Sequence, residues 1–353
     1  MTTLRIGLIG AGGIAGVHIA GWQELGAQVS IYSRSGAAGL VEKYGVAEVF
    51  SVEELLAASD MVSILTPTPS HHEYALAAIA AGKDVICEKP LAENTGRAAE
   101  IASAAAAAGV RLFPAHVVRF FPEYVAAKEA LGPTGAPAAL ELSRSSAGPA
   151  DGSWFYNESL GGGIIRDQMI HDIDQACWLA GAVVRVEAVQ DPPSTGGILF
   201  RPVTARVVLT HENGAVSRLR GAWGPDTLSF STSIRIEAPD GSALFSWPGD
   251  AADGTAVAAA DGAAAGPGVG PGVGAAPAAE NEPGDYLPVQ DVATSPYTLQ
   301  NAEFAAARSS GGPARVSPYD GVMAVALAEA AYASIASGGP VDFSAAEVQA
   351  LLG

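Results

Sequence analysis

The feature that most constrains the fold is a short apolar run that ends in a glycine-rich turn and continues into a helix. Leu4 to Ile9 is typical of a buried parallel strand, and the turn Gly-Ala-Gly-Gly-Ile-Ala follows it directly from residue 10. Gly10 permits a tight turn, Gly12 lets the backbone approach a pyrophosphate, and Ala15 allows the helix to pack closely on the strand. The free N–H groups at the start of that helix favour phosphate binding. The residues of this turn that we predict to bind a dinucleotide are Gly10, Gly12, Gly13 and Ile14.

Short strands and helices alternate through the first third of the chain. Apolar runs at residues 28–32, 61–65, 84–87 and 111–114 read as further strands, and helical patterns lie between them at 14–25, from 51, at 70–81 and at 97–108. Alternation with such short links predicts a parallel sheet that is covered on both faces. We therefore predict an α/β dinucleotide-binding domain over residues 1–121.

The pattern changes after residue 121. Six predicted strands, at residues 138–143, 183–189, 203–210, 215–222, 231–238 and 243–247, are interrupted by only one helix, at 161–179. Strands that follow one another in this way predict an α+β domain over 122–353 with a large open, mainly antiparallel sheet. A final helix is predicted at 319–337. Residues 249–285 are mostly Ala, Gly and Pro, so we interpret them as a mobile loop. A tolerated insertion is the favoured interpretation of this loop, and a functional lid is the alternative.

Charge and composition exclude several classes of function. The formal net charge is −18, which argues against nucleic-acid binding because phosphate neutralisation needs clustered Lys and Arg. No apolar run is long enough to span a bilayer, and the first residues lack a signal-peptide pattern. We therefore expect a cytoplasmic protein with no membrane partner. The two cysteines do not predict a disulfide framework, and the histidines show no metal-binding spacing, so we predict no metal.

The end of the second predicted strand bears on cofactor choice. The chain there reads Tyr-Ser-Arg-Ser from residue 32. An acidic residue at this place holds the ribose 2′-hydroxyl of NAD, whereas an arginine accommodates the 2′-phosphate of NADP. Ser33 stands where the acid is expected and Arg34 follows it, so we predict that NADP is favoured over NAD. An arginine that only covers the surface is the alternative interpretation.

Three ionisable residues suggest proton transfer coupled to hydride transfer. Lys89, one of only four lysines, follows the strand at 84–87, at the sheet edge where open α/β sheets bind ligands. Asp167 and His171 are four residues apart, so on a helix they share one face. The ordinary pKa of histidine, ~6.5, suits proton exchange at neutral pH. A surface lysine and a core histidine are the structural alternatives, and Asp174 reads as an acid on the helix surface.

Four stretches together resemble the Gfo/Idh/MocA family of NAD(P)-dependent oxidoreductases. They are Gly10 to Ala15, Thr66-Pro67-Thr68-Pro69-Ser70-His71, Cys87-Glu88-Lys89-Pro90-Leu91, and Gly161-Gly162-Gly163 leading into Asp167, His171 and Asp174. The resemblance implies an N-terminal Rossmann domain and a C-terminal α+β domain. It also implies a homodimer or homotetramer formed through the open sheet of the second domain.

The resemblance also implies roles for individual residues. Lys89 matches the catalytic lysine that contacts substrate and nicotinamide, His171 the proton acceptor and donor, and Asp167 the carboxylate that binds substrate and orients the histidine. Arg119 matches a residue that lines the substrate pocket. The full set of predicted cofactor-binding residues beyond the glycine turn is Ser33, Arg34, Thr66, Pro67, His71, Glu88 and Lys89; the predicted substrate-binding residues are Lys89, Arg119, Asp167 and His171.

The function that these expectations favour is hydride transfer between nicotinamide C4 and a secondary alcohol or ketone of a sugar, cyclitol or related polyol. The family also contains redox-neutral enzymes that use NAD to cleave glycosides, which is one alternative. A non-catalytic nucleotide sensor is another, although an intact Lys89, Asp167 and His171 counts against it.

Overall fold

A computed structural model describes residues 3–132, 135–248 and 291–353. The loop predicted at 249–285 lies outside the described residues. Within these ranges no helix is long and apolar enough to cross a membrane. The chain forms two sheets with helices packed on them, one built from the first part of the chain and one from the second.

The first sheet has six parallel strands in the order β3-β2-β1-β4-β5-β6, which confirms the predicted parallel sheet. The strands are β1 (Arg5–Ile9), β2 (Gln28–Tyr32), β3 (Ala47–Glu48), β4 (Met61–Ile64), β5 (Asp84–Glu88) and β6 (Leu112–Ala115). The helices between them are α1 (Ala15–Glu24), α2 (Ala38–Tyr44), α3 (Val52–Ala58), α4 (His71–Ala80) and α5 (Thr95–Ala108). The sequence patterns missed the short β3 and α2.

The strand order reverses between β1 and β4, and this reversal defines the site. Chain segments that leave neighbouring strands there turn to opposite faces of the sheet and open a crevice at the carboxyl edge. The glycine turn follows β1, Thr66 follows β4, Lys89 follows β5 and His116 follows β6. Four loops with polar residues therefore meet at one edge.

The second sheet has seven strands in the order β12-β11-β7-β10-β9-β8-β13. All its pairs are antiparallel except β7 with β10, which confirms a mainly antiparallel sheet. The strands are β7 (Ala139–Ala147), β8 (Val183–Asp191), β9 (Val203–His211), β10 (Val216–Gly224), β11 (Ser231–Glu237), β12 (Ala243–Trp247) and β13 (Val341–Asp342). The later helices are α6 (Pro122–Leu131), α7 (Ile170–Ala180), α8 (Pro296–Ser310), α9 (Pro318–Ser337) and α10 (Ala345–Ala350).

Helices α8 and α9 connect the two sheets. Helix α9 packs on β8 of the second sheet and on α5 and β6 of the first, while α8 packs on α1. In α8, Phe304 stacks on Phe113 with ring centroids 4.8 Å apart and meets the edge of Phe120. The division of the chain at residue 121 stays a prediction, but the core of the first sheet clearly includes a helix that comes much later in the sequence.

Candidate active site

The glycine turn after β1 has the shape that a dinucleotide needs. Gly10 has φ +112°, and a Cβ there would lie 2.7 Å from the carbonyl oxygen of Leu65, so only glycine fits. At Gly12 a Cβ would have no heavy atom within 4 Å, which leaves open space beside the first turn of α1. A pyrophosphate therefore has both room and the N–H groups of a helix start. Thr66 and Pro67 follow β4 beside this turn.

The end of β2 presents a free cation. The N–H of Gly10 donates to the carbonyl oxygen of Tyr32 (2.8 Å), so the chain leaves β2 next to the glycine turn. Arg34 is exposed and makes neither a hydrogen bond nor an ion pair with the residues that the structure describes. The neighbouring Glu48 is engaged, since its Oε1 accepts from the N–H of Ala37 at the start of α2 (2.8 Å).

His71 ties together the loops that follow β4 and β5. Its Nδ1 lies 2.8 Å from the carbonyl oxygen of Pro90, and its Nε2 lies 2.8 Å from that of Thr66. Burial lowers the pKa of His71, although both carbonyl oxygens act in the opposite direction. The peptide bond between Lys89 and Pro90 is cis. Both ring nitrogens of His71 therefore face the protein and shape the two loops, and its predicted contact with the cofactor stays a prediction.

Glu88 is likewise engaged by the protein and not by a cofactor. Its Oε1 lies 3.0 Å from Nε2 of His18 in α1, and its Oε2 accepts from the backbone N–H of Lys89 (3.1 Å). Burial opposes the carboxylate charge, but His18 and Lys89 more than offset it, so the pKa of Glu88 is lowered. Both oxygens thus hold the Lys89 backbone against α1, and the predicted role of Glu88 in cofactor binding stays a prediction.

The structure brings together Lys89, which follows β5, and Asp167, which lies 78 residues later in the chain. The Nζ of Lys89 donates to Oδ1 of Asp167 (2.9 Å) and to its carbonyl oxygen (2.8 Å). Both side chains are 18% exposed. The ammonium thus lies in a cleft at the carboxyl edge of the first sheet, with part of its surface still accessible.

Asp167 belongs to a π-helical segment, Ile165–Met169, which precedes α7. The sequence predicted one continuous helix at 161–179, so this division corrects it. Gly162 and Gly163 have positive φ, and a Cβ at Gly163 would clash with Leu199, so the glycines permit a sharp turn into the segment. Single π turns recur at functional sites, because they move side chains out of the regular α-helical positions.

Gln168, which sequence reasoning missed, anchors the π-helical segment to the second sheet. Its Nε2 donates to the carbonyl oxygens of Arg144 in β7 (3.0 Å) and Ala222 in β10 (3.3 Å), and its Oε1 accepts from Ser146 (2.7 Å). The side chain is buried. Three hydrogen bonds from the residue next to Asp167 therefore fix the position of that carboxylate.

His171 follows on α7, partly buried. Its Nδ1 has no hydrogen-bond partner among the described residues. Burial, assisted by the positive charges of Lys89 and Arg144, lowers the pKa of His171 well below its usual value. The expectation of an ordinary histidine pKa was wrong. At neutral pH the ring is neutral and can accept a proton.

Arg119 and Asp174 form a buried ion pair. The guanidinium of Arg119 is 1% exposed and donates to both carboxylate oxygens of Asp174 (2.8 and 2.6 Å). It also pairs with Asp320 (3.1 Å) and donates to the carbonyl oxygen of Arg315 (2.9 Å). These contacts occupy most of the Arg119 donors, and the predicted place of Arg119 in the substrate pocket stays a prediction. The expectation for Asp174 is corrected, because it is a buried ion-pair partner and not a surface acid.

Among the described residues, no three His, Cys, Asp or Glu side chains are grouped as a metal ion would require. The site therefore comprises the glycine turn, Arg34, the loop at Thr66, and the group of Lys89, Asp167 and His171.

The chain belongs to the Gfo/Idh/MocA oxidoreductase family. The family model described as an oxidoreductase family with an NAD-binding Rossmann fold matches residues 4–116, and the model of the family's C-terminal domain matches residues 124–242.

Three relatives illustrate the match. An inositol 2-dehydrogenase of Klebsiella pneumoniae (strain 342) is 35% identical over 55% of this chain and 59% of its own length. The putative oxidoreductase YceM of Salmonella typhimurium is 30% identical over 67% of this chain and 71% of its own. The crystal structure of GenD2 from gentamicin A biosynthesis, in complex with NAD, has a TM-score of 0.76 at 25% identity and covers 98% of this chain and 97% of that one. The alignment with the inositol 2-dehydrogenase thus spans about three-fifths of that enzyme.

Proposed function

We propose that the protein is an NADP-preferring dehydrogenase or reductase that acts on a secondary alcohol or ketone of a sugar, cyclitol or related polyol. The observation that carries this proposal is the contact of Lys89 with Asp167 beside His171, at the edge of the sheet where the glycine turn lies. Relatives named as an inositol 2-dehydrogenase and a 1,5-anhydro-D-fructose reductase support the substrate class.

Each residue of the group has a distinct task. A bound nicotinamide supplies the acceptor or donor of the hydride. The ammonium of Lys89, held by Asp167, stabilises negative charge on the substrate oxygen. Neutral His171 accepts the hydroxyl proton in the oxidative direction and returns it in the reductive direction. The free carboxylate oxygen of Asp167 accepts a hydrogen bond from a second hydroxyl of a polyol.

The preference for NADP rests on Arg34. A guanidinium can bind a dianionic 2′-phosphate through two parallel hydrogen bonds, and Ser33 adds a hydroxyl donor without repulsion. Arg34 has no competing ion pair in the described part of the chain.

We also propose that the exposed face of the second sheet joins subunits into a homodimer or homotetramer. Exposed and buried residues alternate along β8 and β9, and Arg206 of β9 lies directly opposite Arg220 of β10. Like charges at such a pair are unfavourable unless an acidic group faces them. Light scattering of the purified protein would give the mass; a monomer at all concentrations would contradict this part of the proposal.

A panel of sugars, cyclitols and their ketones, each assayed with NAD(H) and with NADP(H), tests the function. We expect a net change in NADPH absorbance with at least one polyol and a lower KM for NADP than for NAD. Product formation without net cofactor turnover would instead favour the redox-neutral glycoside-cleaving alternative. Absence of any product with the whole panel would contradict an enzymatic role for the site.

A further inference from the structure

A buried hydrogen bond joins the helix of the glycine turn to the residue before the proposed catalytic lysine. His18 lies in α1 and is fully buried, and its Nε2 lies 3.0 Å from Oε1 of Glu88, the last residue of β5. A carboxylate only accepts hydrogen bonds, so Nε2 carries the hydrogen and donates it. The side chain of Glu88 is 11% exposed, so this contact is largely shielded from water.

The same carboxylate holds the backbone of Lys89. Oε2 of Glu88 accepts from the backbone N–H of Lys89 (3.1 Å), and the ammonium of that lysine donates to Asp167. Because both oxygens of Glu88 belong to one planar group, a rotation that released the Lys89 N–H would also break the bond to His18. The contact with His18 therefore restrains the backbone from which the Lys89 side chain starts.

The surroundings of His18 indicate that this hydrogen bond, and not packing, explains a histidine at this place. The Nδ1 of His18 is buried and has no hydrogen-bond partner among the described residues. An unpaired buried polar atom is unfavourable, so an apolar side chain of similar shape would fill the space better. The edge contact with the ring of Tyr297 in α8, with centroids 5.4 Å apart, is open to a phenyl ring as well. What the imidazole adds is the hydrogen bond to Glu88.

We propose that His18 is a positioning residue for Lys89, and that it acts through Glu88 to fix the ammonium relative to the cofactor. The inference rests on the proposed dehydrogenase function. The first turn of α1 offers its N–H groups to the pyrophosphate, and His18 is the fourth residue of that helix. The phosphate site and the Lys89 backbone are thus held by the same helix. Hydride transfer needs the reacting atoms in a fixed geometry, so this shared support bears directly on the rate.

Competitive labelling of the lysines tests this positioning without any turnover. The chain has only four lysines: Lys43, Lys83, Lys89 and Lys128. Trace acetylation of the full chain before cofactor is added, followed by mass spectrometry, gives a rate for each of them. Lys89 is paired with Asp167 and is 18% exposed, so it should react slowly in the wild type. His18→Phe keeps a ring and loses the donor, so the Lys89 rate should rise several-fold while the other three rates stay the same.

Steady-state kinetics and a conservative variant supply a second readout. His18→Phe should lower kcat by up to roughly 10²-fold, the loss that a misplacement of about 1 Å can cause, while KM for NADP changes little because the glycine turn is intact. The amide of His18→Gln can donate to Glu88 in place of Nε2, so this variant should recover most of the kcat and the slow labelling of Lys89. A contact that only stabilised the fold would change Tm without changing the labelling of Lys89 relative to the other lysines.

A double-mutant cycle checks that His18 acts through Glu88. In Glu88→Leu, the Lys89 labelling rate and kcat should change in the same direction as in His18→Phe, and adding His18→Phe to this variant should change them little further. His72→Phe is the matched control, because Nε2 of His72 lies 2.8 Å from Oε2 of Glu100 in a second histidine–glutamate pair, whose glutamate is 60% exposed. Neither value should change in that control.

The proposal and the proposed function fail on different results. An unchanged or lower Lys89 labelling rate in His18→Phe, or a rise shared equally by all four lysines, would overturn the positioning role. His18→Leu repeats the test with a smaller apolar side chain where the phenyl ring does not fit. A wild type that gave no NADPH signal with any polyol would contradict the proposed function, whereas the labelling rates would still decide whether His18 positions Lys89.

Discussion

The segment from Asp167 to Asp174 carries two kinds of ion pair that differ in what surrounds them. Asp167 pairs with Lys89 in the cleft, with both side chains 18% exposed. Asp172 pairs with Arg144, and Asp174 with Arg119, with no side chain of these four more than 6% exposed. The first pair joins one lysine to one carboxylate oxygen, whereas both arginines form bidentate pairs.

The difference shows how one helix can serve both the site and the fold. A planar guanidinium that is matched to a carboxylate on both oxygens has few donors left, so such a pair is closed to a ligand. An ammonium that meets one carboxylate oxygen keeps a donor for another partner. The cleft pair is therefore available for chemistry, and the buried pairs fix α7 against the loops and strands behind it.

The largest expected difference between the cleft pair and the buried pairs is in the free energy of unfolding. Asp172→Ala leaves the buried guanidinium of Arg144 without its carboxylate, and breaking a buried pair in this way costs about 3–5 kcal/mol. Asp167→Ala leaves Lys89 with part of its surface still accessible to water, so we expect a smaller loss of unfolding free energy than for Asp172→Ala. Urea unfolding of both variants measures the difference. Equal losses of unfolding free energy in the two variants would mean that the cleft pair is as well shielded from solvent as the buried pair.

The next effect is on rate. Lys89→Met removes one preorganised electrostatic contact, so kcat should fall by roughly 10²–10³-fold while the fold is kept. Lys83→Met is the matched control, because Lys83 donates to the carbonyl oxygen of Ser59, away from the site. A Lys89→Met enzyme with nearly normal kcat would exclude the lysine from the mechanism.

Local sequence patterns predicted those parts of the site whose conformation depends on residues close to them in the chain. The turn at Gly10, directly after β1, is recognisable because it requires a residue without a Cβ. Asp167 and His171 were related from α-helical spacing, whereas the structure places Asp167 in the π-helical segment and His171 on α7. The position of Lys89 followed from the strand before it. Each of these inferences depends on a short stretch of the chain.

The rest depends on contacts between distant residues. Asp174 and Arg119 are 55 positions apart, and nothing in the spacing of α7 says that an acid there will be buried. Helix α8 was missed because its buried face carries Thr298, Gln300 and Asn301, so it lacks a clear apolar stripe. Gln168 gains its role only when the second sheet brings partners to it. In each case the feature that sequence patterns do not reveal is a buried polar group, because hydrophobic periodicity marks only apolar residues.

A smaller expected effect is on cofactor preference. It arises from Arg34, which follows β2 and belongs to neither kind of ion pair. Loss of a hydrogen-bonded charge typically costs about 1.5–3 kcal/mol, so Arg34→Ala should raise KM for NADP at least roughly tenfold. The Ser33→Asp, Arg34→Ala double variant should prefer NAD, because the new carboxylate accepts the ribose hydroxyls and repels the 2′-phosphate. Initial rates with each cofactor measure both changes. A wild type that prefers NAD, together with unaltered constants in Arg34→Ala, would mean that Arg34 only covers the surface.

The smallest expected effect is the change of stability with pH near neutrality, which arises from the buried histidines. Burial lowers the pKa of His71, His116, His171 and His211 in the folded protein. Below the unfolded value of about 6.5, the unfolded chain binds protons that the folded chain does not, so the free energy of unfolding decreases as pH falls through this range. Above it, the full stability is present. Thermal melts between about pH 8 and pH 6, above the usual carboxylate range, should therefore show Tm falling toward the acid end. His116→Phe removes one of these groups and should flatten the slope. A Tm that stays constant or rises on acidification would show that burial does not lower the pKa of these rings in the folded protein.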